Sequence, residues 1–198
     1  IGENMRLRIA QGLISRDETE VKLYFDGMVR KVGVITDFGD ARNAVIKEAE
    51  NQKYDWMVFL DSDEELTEDS VRIIKRYIES GTSQAYALPR LEFVSDRKHY
   101  DDSVYPDWQH RIFKLGVGFN YRGGIHESLF KNDSLAEVVR IIRCPIYHYG
   151  RCMPKEFIAL KYLNYERIKG GLPLLETLPE GYDLSNAKLW EKEIPFIP

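Results

Sequence analysis

The spacing of apolar positions along the chain predicts where helices and strands lie. Residues 39–52 and 67–81 repeat apolar side chains every three or four positions, as amphipathic helices do. Thr67 and Gly81 are residue types that begin and end helices, which strengthens the second prediction. Between the two, residues 55–60 (DWMVFL) contain a short continuous apolar run, typical of a strand buried on both faces of a parallel sheet.

The second half of the chain predicts longer strands and then one helix. Residues 85–94 and 109–115 have strand composition, and so do residues 138–144 as far as Pro145. Residues 154–171 form a long amphipathic pattern that ends in a Gly-Gly pair. Together these elements predict an α/β domain of three layers, with a mixed, mostly parallel sheet flanked by helices.

The N-terminal segment gives a less consistent pattern. Residues 3–13 are helix-like, whereas residues 21–25 and 31–35 have strand composition. Neighbouring parallel strands need a crossover of about a dozen residues, and this connection is shorter. Either Asp26 and Gly27 make a hairpin turn, or a crossover segment is missing from the sequence. We favour the second interpretation.

Composition and charge narrow the classes of partner. The 198 residues suffice for one domain, and the net charge of −4 argues against nucleic acid, because phosphate binding needs clustered basic side chains. Cys144 and Cys152 form neither a disulfide framework nor a zinc motif, which favours a reducing, cytoplasmic setting. No apolar run approaches the ~18 residues of a membrane span, so no transmembrane segment is predicted. We expect a single domain over residues 1–171 and a proline-rich C-terminal extension over residues 172–198.

An acidic turn follows the predicted buried strand, in the sequence MVFLDSDEE. Asp61 and Asp63 lie just beyond the carboxyl end of that strand, where open α/β sheets bind their ligands. Hard carboxylate oxygens suit Mg²⁺ or Mn²⁺, which commonly bind through one or two carboxylates and substrate phosphates. For the remaining acidic side chains we favour a simpler role, which is to complement the N-terminal dipole of the next helix: Glu64, Glu65, Glu68 and Asp69.

Other motifs for cations and nucleotides do not fit. An EF-hand loop starting at Asp61 would need Gly and Glu where the chain has Leu66 and Arg72. The phosphate-binding loop and the dinucleotide fingerprint are absent. Two alternatives stay open: a Mg²⁺-dependent phosphotransfer enzyme with Asp61 as its nucleophile, despite Glu65 where such enzymes have a small residue, and a non-catalytic nucleotide-binding domain.

Three ordered blocks resemble family 2-like glycosyltransferases with the GT-A fold. They are DFGDARNAVIKEAENQKYDWMVFLDSDEELTEDSV, HRIFKLGVGFNYRGGIHESLF and IYHYGRCMPKEFIALKYLNYE, and they cover most of residues 37–166. The resemblance implies a GT-A-like sandwich, with a nucleotide-binding half over about 1–66 and an acceptor half over about 67–171. It also implies a strand before Ile1 and a turn and helix near Gly27, which is why we favour a missing segment there.

The resemblance implies a divalent cation, Mn²⁺ or Mg²⁺, that bridges the diphosphate of a nucleotide-sugar donor. Asp63 is its expected direct ligand, and Asp61 is expected to reach the ribose or a metal-bound water. His148 matches the histidine that often completes this site, and neutral imidazole is a suitable ligand. A packed, hydrogen-bonded histidine is the competing interpretation.

The resemblance also assigns donor contacts and a catalytic base. Asp26 is the expected nucleoside contact, whereas Arg42 and Arg111 are expected near the diphosphate, unless they lie exposed on their helix and strand. Glu127 in GGIHES is the expected base, with inversion as the stereochemical outcome, and His126 either orients it or binds the donor.

The expected acceptor is a carbohydrate, a glycoprotein or a glycolipid. The small size and short tail are also similar to those of an archaeal-virus glycosyltransferase, for which the cytoplasm would be that of the host. The apolar end of the tail either docks on the domain or makes a peripheral contact with a partner or a membrane surface.

Overall fold

The computed structural model describes residues 9–14, 20–25, 28–34, 38–61, 63–95, 98–123, 126–173 and 175–184, the first three ranges by their backbone. The elements are β1 (Ile9–Ile14), β2 (Glu20–Phe25), β3 (Met28–Val34), α1 (Phe38–Asn51), β4 (Trp56–Asp61), β5 (Glu64–Glu65), α2 (Glu68–Ser80), β6 (Ala85–Val94), β7 (Tyr100–Asp101), β8 (Asp107–Lys114), β9 (Phe119–Arg122), β10 (Ser128–Lys131), β11 (Ser134–Leu135), β12 (Val139–Arg140), β13 (Ile146–Arg151) and α3 (Lys155–Lys169).

The helices predicted over residues 39–52, 67–81 and 154–171 are confirmed as α1, α2 and α3. Thr67 caps α2 by accepting a hydrogen bond from the backbone N–H of Ser70 at 3.1 Å. Gly81 ends the same helix with φ of 63°, a left-handed conformation that glycine adopts without strain. No helix in the described part of the chain is long and apolar enough to cross a membrane.

The main sheet is mixed, as predicted, but it is not mostly parallel. Its order is β3-β2-β1-β4-β8-β6-β13-β5, and β7 and β12 pair with β6. Strand β1 runs parallel to β4, and β13 and β12 run parallel to β6, whereas the other six described pairings are antiparallel. The prediction failed because β8 enters antiparallel between β4 and β6. Strands β9, β10 and β11 form a second, small antiparallel sheet.

Helices cover the sheet on both sides, which confirms the α/β class. Apolar residues of α1 pack on one face against Met57, Phe59 and Phe113. Ile74 and Ile78 of α2 pack in a second cluster that includes Trp56, Tyr86 and Ile112. Successive residues of β4 thus serve two different cores, because neighbouring side chains of a strand point to opposite faces.

Two N-terminal predictions are wrong. The helix predicted over residues 3–13 is strand β1 from residue 9 onward, and it pairs in parallel with β4. Strands β2 and β3 pair antiparallel, with Phe25 opposite Met28. Two residues therefore suffice to connect them, and no missing crossover is required. Asp26 lies outside the described residues.

The strand predicted before Pro145 is also largely wrong. Only β12 is regular there, and the longer strand β13 follows the proline. Proline has no N–H to donate to a sheet, so a strand more readily begins after it than continues through it. This shift brings His148 into the centre of β13, beside β6.

Candidate active site

A cavity of about 630 Å³ lies at the carboxyl end of β4, between the sheet and helices α1 and α3. Six of the residues predicted from the sequence line it: Arg42, Asp61, Arg111, His126, Glu127 and His148. Asp63 contacts His148 from the side, with 3.2 Å between Oδ2 and Nε2. The fold therefore brings together in one cavity residues that lie more than 100 positions apart in the chain.

Two buried arginines hold the carboxylate of Asp61. Arg42 donates from Nη2 to Oδ1 at 2.9 Å, and Arg111 donates from Nη2 to Oδ2 at 2.9 Å. The two arginines are only 3% and 4% exposed. The alternative that Arg42 and Arg111 lie exposed on their helix and strand is therefore wrong. Asp61 thus forms ion pairs with both arginines.

The role expected for Glu64 is wrong. Its side chain is fully buried, and Oε1 accepts from Arg111 at 2.7 Å. Its other oxygen accepts from the backbone N–H of Asp61 at 2.9 Å. Glu64 therefore neutralises a buried arginine rather than a helix dipole. Glu68 and Asp69 do lie in the first turn of α2, as predicted.

A β-bulge in β8 accounts for the position of Arg111. Tyr86 pairs with Ile112, and the next residue of β6, Ala87, pairs with His110. Arg111 is thus an extra residue in its strand, and bulges commonly redirect a side chain in this way. No local sequence pattern marks the bulge.

The arginines stay charged because of their neighbours. Burial alone would lower the pKa of Arg111, but the nearby carboxylates of Asp61 and Glu64 outweigh it and raise that pKa well above its ordinary value. Arg42 shows the same balance: burial lowers its pKa, but Asp61 and Glu127 together with Tyr121 outweigh it, so the pKa lies above its ordinary value. The cluster is therefore a network of fixed charges rather than of groups that titrate near neutral pH.

Glu127 is held by the second donor of Arg42. Arg42 Nε donates to Glu127 Oε1 at 2.5 Å, and the carboxylate is 12% exposed. His126, directly before Glu127, has φ of 58°, and Gly123 has φ of 108°. A Cβ on Gly123 would lie 3.4 Å from the Cα of Glu127. Left-handed backbone at a non-glycine residue is strained and is often found at functional sites.

Asn43, which follows Arg42 in the sequence ARN, connects helix α1 to strand β9. Its side chain accepts from the backbone N–H of Tyr121 and donates to the carbonyl of the same residue, both at 2.8 Å. This pair of hydrogen bonds fixes α1 against β9. The guanidinium of Arg42 then lies 5.1 Å from the ring centre of Phe59 and 5.3 Å from that of Tyr121. Such cation–π contacts restrict the arginine's orientation.

His148 lies between two carboxylates. Its Nδ1 is 2.7 Å from Glu92 Oε2, and its Nε2 is 3.2 Å from Asp63 Oδ2. Burial would lower the pKa of His148, but the contacts with Asp63 and Glu92 outweigh it and raise the pKa above its ordinary value. The surroundings therefore favour a positive charge at this position.

Glu92 was missed by the sequence analysis, and so were Arg151 near Glu92 and Lys161 near Asp63. Arg151 Nε lies 3.6 Å from Glu92 Oε1, and Lys161 Nζ lies 3.9 Å from Asp63 Oδ2. The only sequence signal for Glu92 is a lone acidic residue in the otherwise apolar run LEFV. Its importance depends on β6 pairing with β13, which places Glu92 opposite His148.

Backbone contacts bring Asp63 to β13. The N–H of Tyr149 donates to the carbonyl of Asp63 at 2.8 Å. Gly150 allows a close approach, since a Cβ there would lie 2.6 Å from His148 Nε2 and 2.8 Å from Asp63 Oδ2. A Cβ at this position would therefore displace at least one of these two side chains.

The Asp63–His148 pair fits a divalent cation. Within the described residues, His148 Nε2 has no hydrogen-bond partner, because its contact with Asp63 lacks hydrogen-bond geometry. Two ligands at right angles on an ion with bonds of about 2.1 Å would lie about 3 Å apart. No group of three or more potential ligand side chains occurs in that part of the chain, but Mg²⁺ and Mn²⁺ commonly use two protein ligands and substrate phosphates.

No family model matches the chain, and no curated protein matches it. The resemblance to GT-A glycosyltransferases therefore stays a prediction from the sequence. The cytoplasmic setting and the viral likeness also stay predictions.

Proposed function

We propose that the protein transfers a sugar from a nucleotide-sugar donor to an acceptor hydroxyl, with Mn²⁺ or Mg²⁺ and with inversion at the anomeric carbon. The observation that carries this proposal is the content of one cavity. The cavity holds the carboxylate of Glu127, which the buried Arg42 fixes, and the imidazole of His148, which contacts Asp63. Sugar transfer needs both a base for the acceptor and charge neutralisation for the leaving diphosphate.

Asp63 and His148 would hold the cation, which when bound neutralises the charge that develops on the leaving diphosphate. Lys161 adds a positive charge at 3.9 Å from Asp63. Its ammonium therefore supports the same anionic group from the side of α3.

Glu127 takes the proton of the acceptor hydroxyl. The acceptor oxygen then forms a bond to the anomeric carbon, and the bond from that carbon to the nucleoside diphosphate breaks, with its electron pair leaving on the diphosphate. Because Oε1 of Glu127 accepts a hydrogen bond from Arg42, we assign Oε2 of Glu127 as the oxygen that takes the acceptor's proton. Arg42 thus orients the base.

The contacts of Asp61 weigh against the phosphotransfer alternative. A carboxylate nucleophile needs a reactive, approachable oxygen. Each oxygen of Asp61 instead accepts a hydrogen bond from a buried guanidinium. We assign Asp61 a positioning role, in which it holds Arg42 and thereby Glu127.

Calorimetric titration with UDP and GDP, with and without Mn²⁺, tests the donor site. Wild type should bind one nucleotide in a metal-dependent manner, and Asp63→Ala should abolish this binding. Asp133→Ala is the matched control, because that side chain is 98% exposed. Equal binding by wild type and Asp63→Ala would refute the assigned metal ligand.

Turnover separates the three candidate functions. With a panel of nucleotide sugars, Glu127→Gln should retain nucleotide binding and lose sugar transfer and donor hydrolysis. Phosphatase activity that survives Glu127→Gln but not Asp61→Asn would favour the phosphotransfer enzyme. Tight nucleotide binding with no turnover by wild type would favour a binding domain.

A further inference from the structure

We infer that Glu92 is a positioning residue, which holds His148 in the tautomer that presents Nε2 to a cation. The inference rests on the metal site assigned in the proposed function. It adds a residue from β6 that neither the acidic turn nor the sequence resemblance includes.

The geometry around the imidazole distinguishes its two nitrogens. Nδ1 is 2.7 Å from Glu92 Oε2, a normal distance for a charge-assisted hydrogen bond. Nε2 is 3.2 Å from Asp63 Oδ2, without hydrogen-bond geometry. A carboxylate can only accept, so the short contact places the proton on Nδ1 and leaves the lone pair of neutral imidazole on Nε2.

Glu92 is held rigidly enough to impose this choice. It lies in β6, is 7% exposed and pairs directly with His148 across the parallel strands. Its other oxygen lies 3.6 Å from Arg151, which in turn lies 3.4 Å from Asp101. A carboxylate behind a ligating histidine fixes the orientation of the ring and increases its strength as a ligand.

A purely structural role for Glu92 would have a different consequence. If Glu92 served only to neutralise a protonated His148, its loss would lower stability without a specific effect on metal affinity. Metal affinity in the absence of nucleotide therefore separates the two roles.

The first test is Mn²⁺ affinity, measured by electron paramagnetic resonance on the whole chain without nucleotide. Glu92→Gln keeps the size of the side chain, and we expect its Kd to rise about 10- to 100-fold. Glu79→Gln, on the exposed side of α2, is the control and should match wild type. In a His148→Ala background, Glu92→Gln should change the Kd by less than about twofold, because the effect passes through His148.

The second test needs no metal. Long-range ¹H–¹⁵N spectra at alkaline pH report which nitrogen of neutral His148 carries the proton. We expect Nδ1–H in wild type and a shift towards Nε2–H in Glu92→Gln. Nε2–H in wild type, or a Kd for Glu92→Gln within twofold of wild type, would overturn the inference. Absence of Mn²⁺ binding by wild type would instead overturn the proposed metal site, and the spectra would still decide the role of Glu92.

Discussion

Gly150→Ala is a sharp test of the metal site, because it adds one carbon at a point where the site has no room. The new Cβ would lie 2.6 Å from His148 Nε2 and 2.8 Å from Asp63 Oδ2. Gly150 does not have a left-handed φ, so the substitution brings steric contact without backbone strain. Any effect therefore reports on the space between Asp63, His148 and the strand.

The size of the effect follows from the distances. Ordinary contact begins near 3.4 Å, so the imidazole must retreat by about 0.8 Å. Metal–ligand distances tolerate about 0.2 Å. The displacement exceeds this tolerance several-fold, and we expect Mn²⁺ affinity to fall at least about tenfold. Overpacking of this kind should also lower the free energy of unfolding by about 1–3 kcal/mol.

Calorimetry with Mn²⁺ and urea denaturation measure the two quantities. Gly170→Ala is the matched control, because its Cβ would lie 3.5 Å from the nearest atom, the carbonyl oxygen of Glu166. That variant should leave Mn²⁺ affinity unchanged. Wild-type Mn²⁺ affinity in folded Gly150→Ala would refute the assignment of Asp63 and His148 as paired ligands.

Three further predictions concern stability and reactivity. Arg111→Met removes the arginine that contacts both Asp61 and Glu64, and although Asp61 keeps Arg42, the free energy of unfolding in urea should fall by about 3–5 kcal/mol. Arg72→Met, at an exposed i,i+3 pair, should change it by less than about 0.5 kcal/mol, and equal losses would contradict the buried network. Asn43→Ala removes both hydrogen bonds between α1 and β9, so urea denaturation should show a loss of about 1–3 kcal/mol, and an unchanged midpoint would show that this bridge is dispensable. Burial raises the pKa of the Cys144 thiol to about 11, so at pH 8 only about one thiol in a thousand is ionised in the folded protein. Thiol labelling should therefore modify half-buried Cys152 first and Cys144 only on unfolding, and rapid native labelling of both would refute this order.

Local periodicity predicted α1, α2 and α3 correctly, but it gave a helix over residues 3–13, where β1 lies, and it did not give the direction of the strands. The apolar spacing of α1 and α2 reflects which face each helix buries, and that information is local. Whether β8 enters the sheet parallel or antiparallel depends on how the chain is routed over residues far apart in sequence. The hairpin between β2 and β3 was misjudged because the implied family pattern outweighed a short connection that was itself the better evidence.

The same limit applies to the candidate site. Residue type and position at a strand end identified Asp61 and Asp63, because open α/β sheets bind their ligands at the carboxyl ends of the strands. The burial of Glu64 depends on a bulge in another strand, and the role of Glu92 depends on its pairing with β13. Contacts between residues of neighbouring strands can be identified only once the pairing of the strands is known.

Three of the four carboxylates of the acidic turn divide into two groups with different partners. Asp61 and Glu64 face Arg111, with Arg42 on the far side of Asp61, so fixed cations compensate their charge. Asp63 contacts His148, whose charge depends on a proton, and lies 3.9 Å from Lys161 Nζ rather than beside an arginine. If every carboxylate of the turn were paired with an arginine, a bound metal would add little compensating charge. If none were paired, the carboxylates would repel one another in the absence of a metal. In the proposed function, the arginines compensate Asp61 and Glu64 without a ligand, and a cation would bind at the Asp63–His148 pair, which we infer that Glu92 orients.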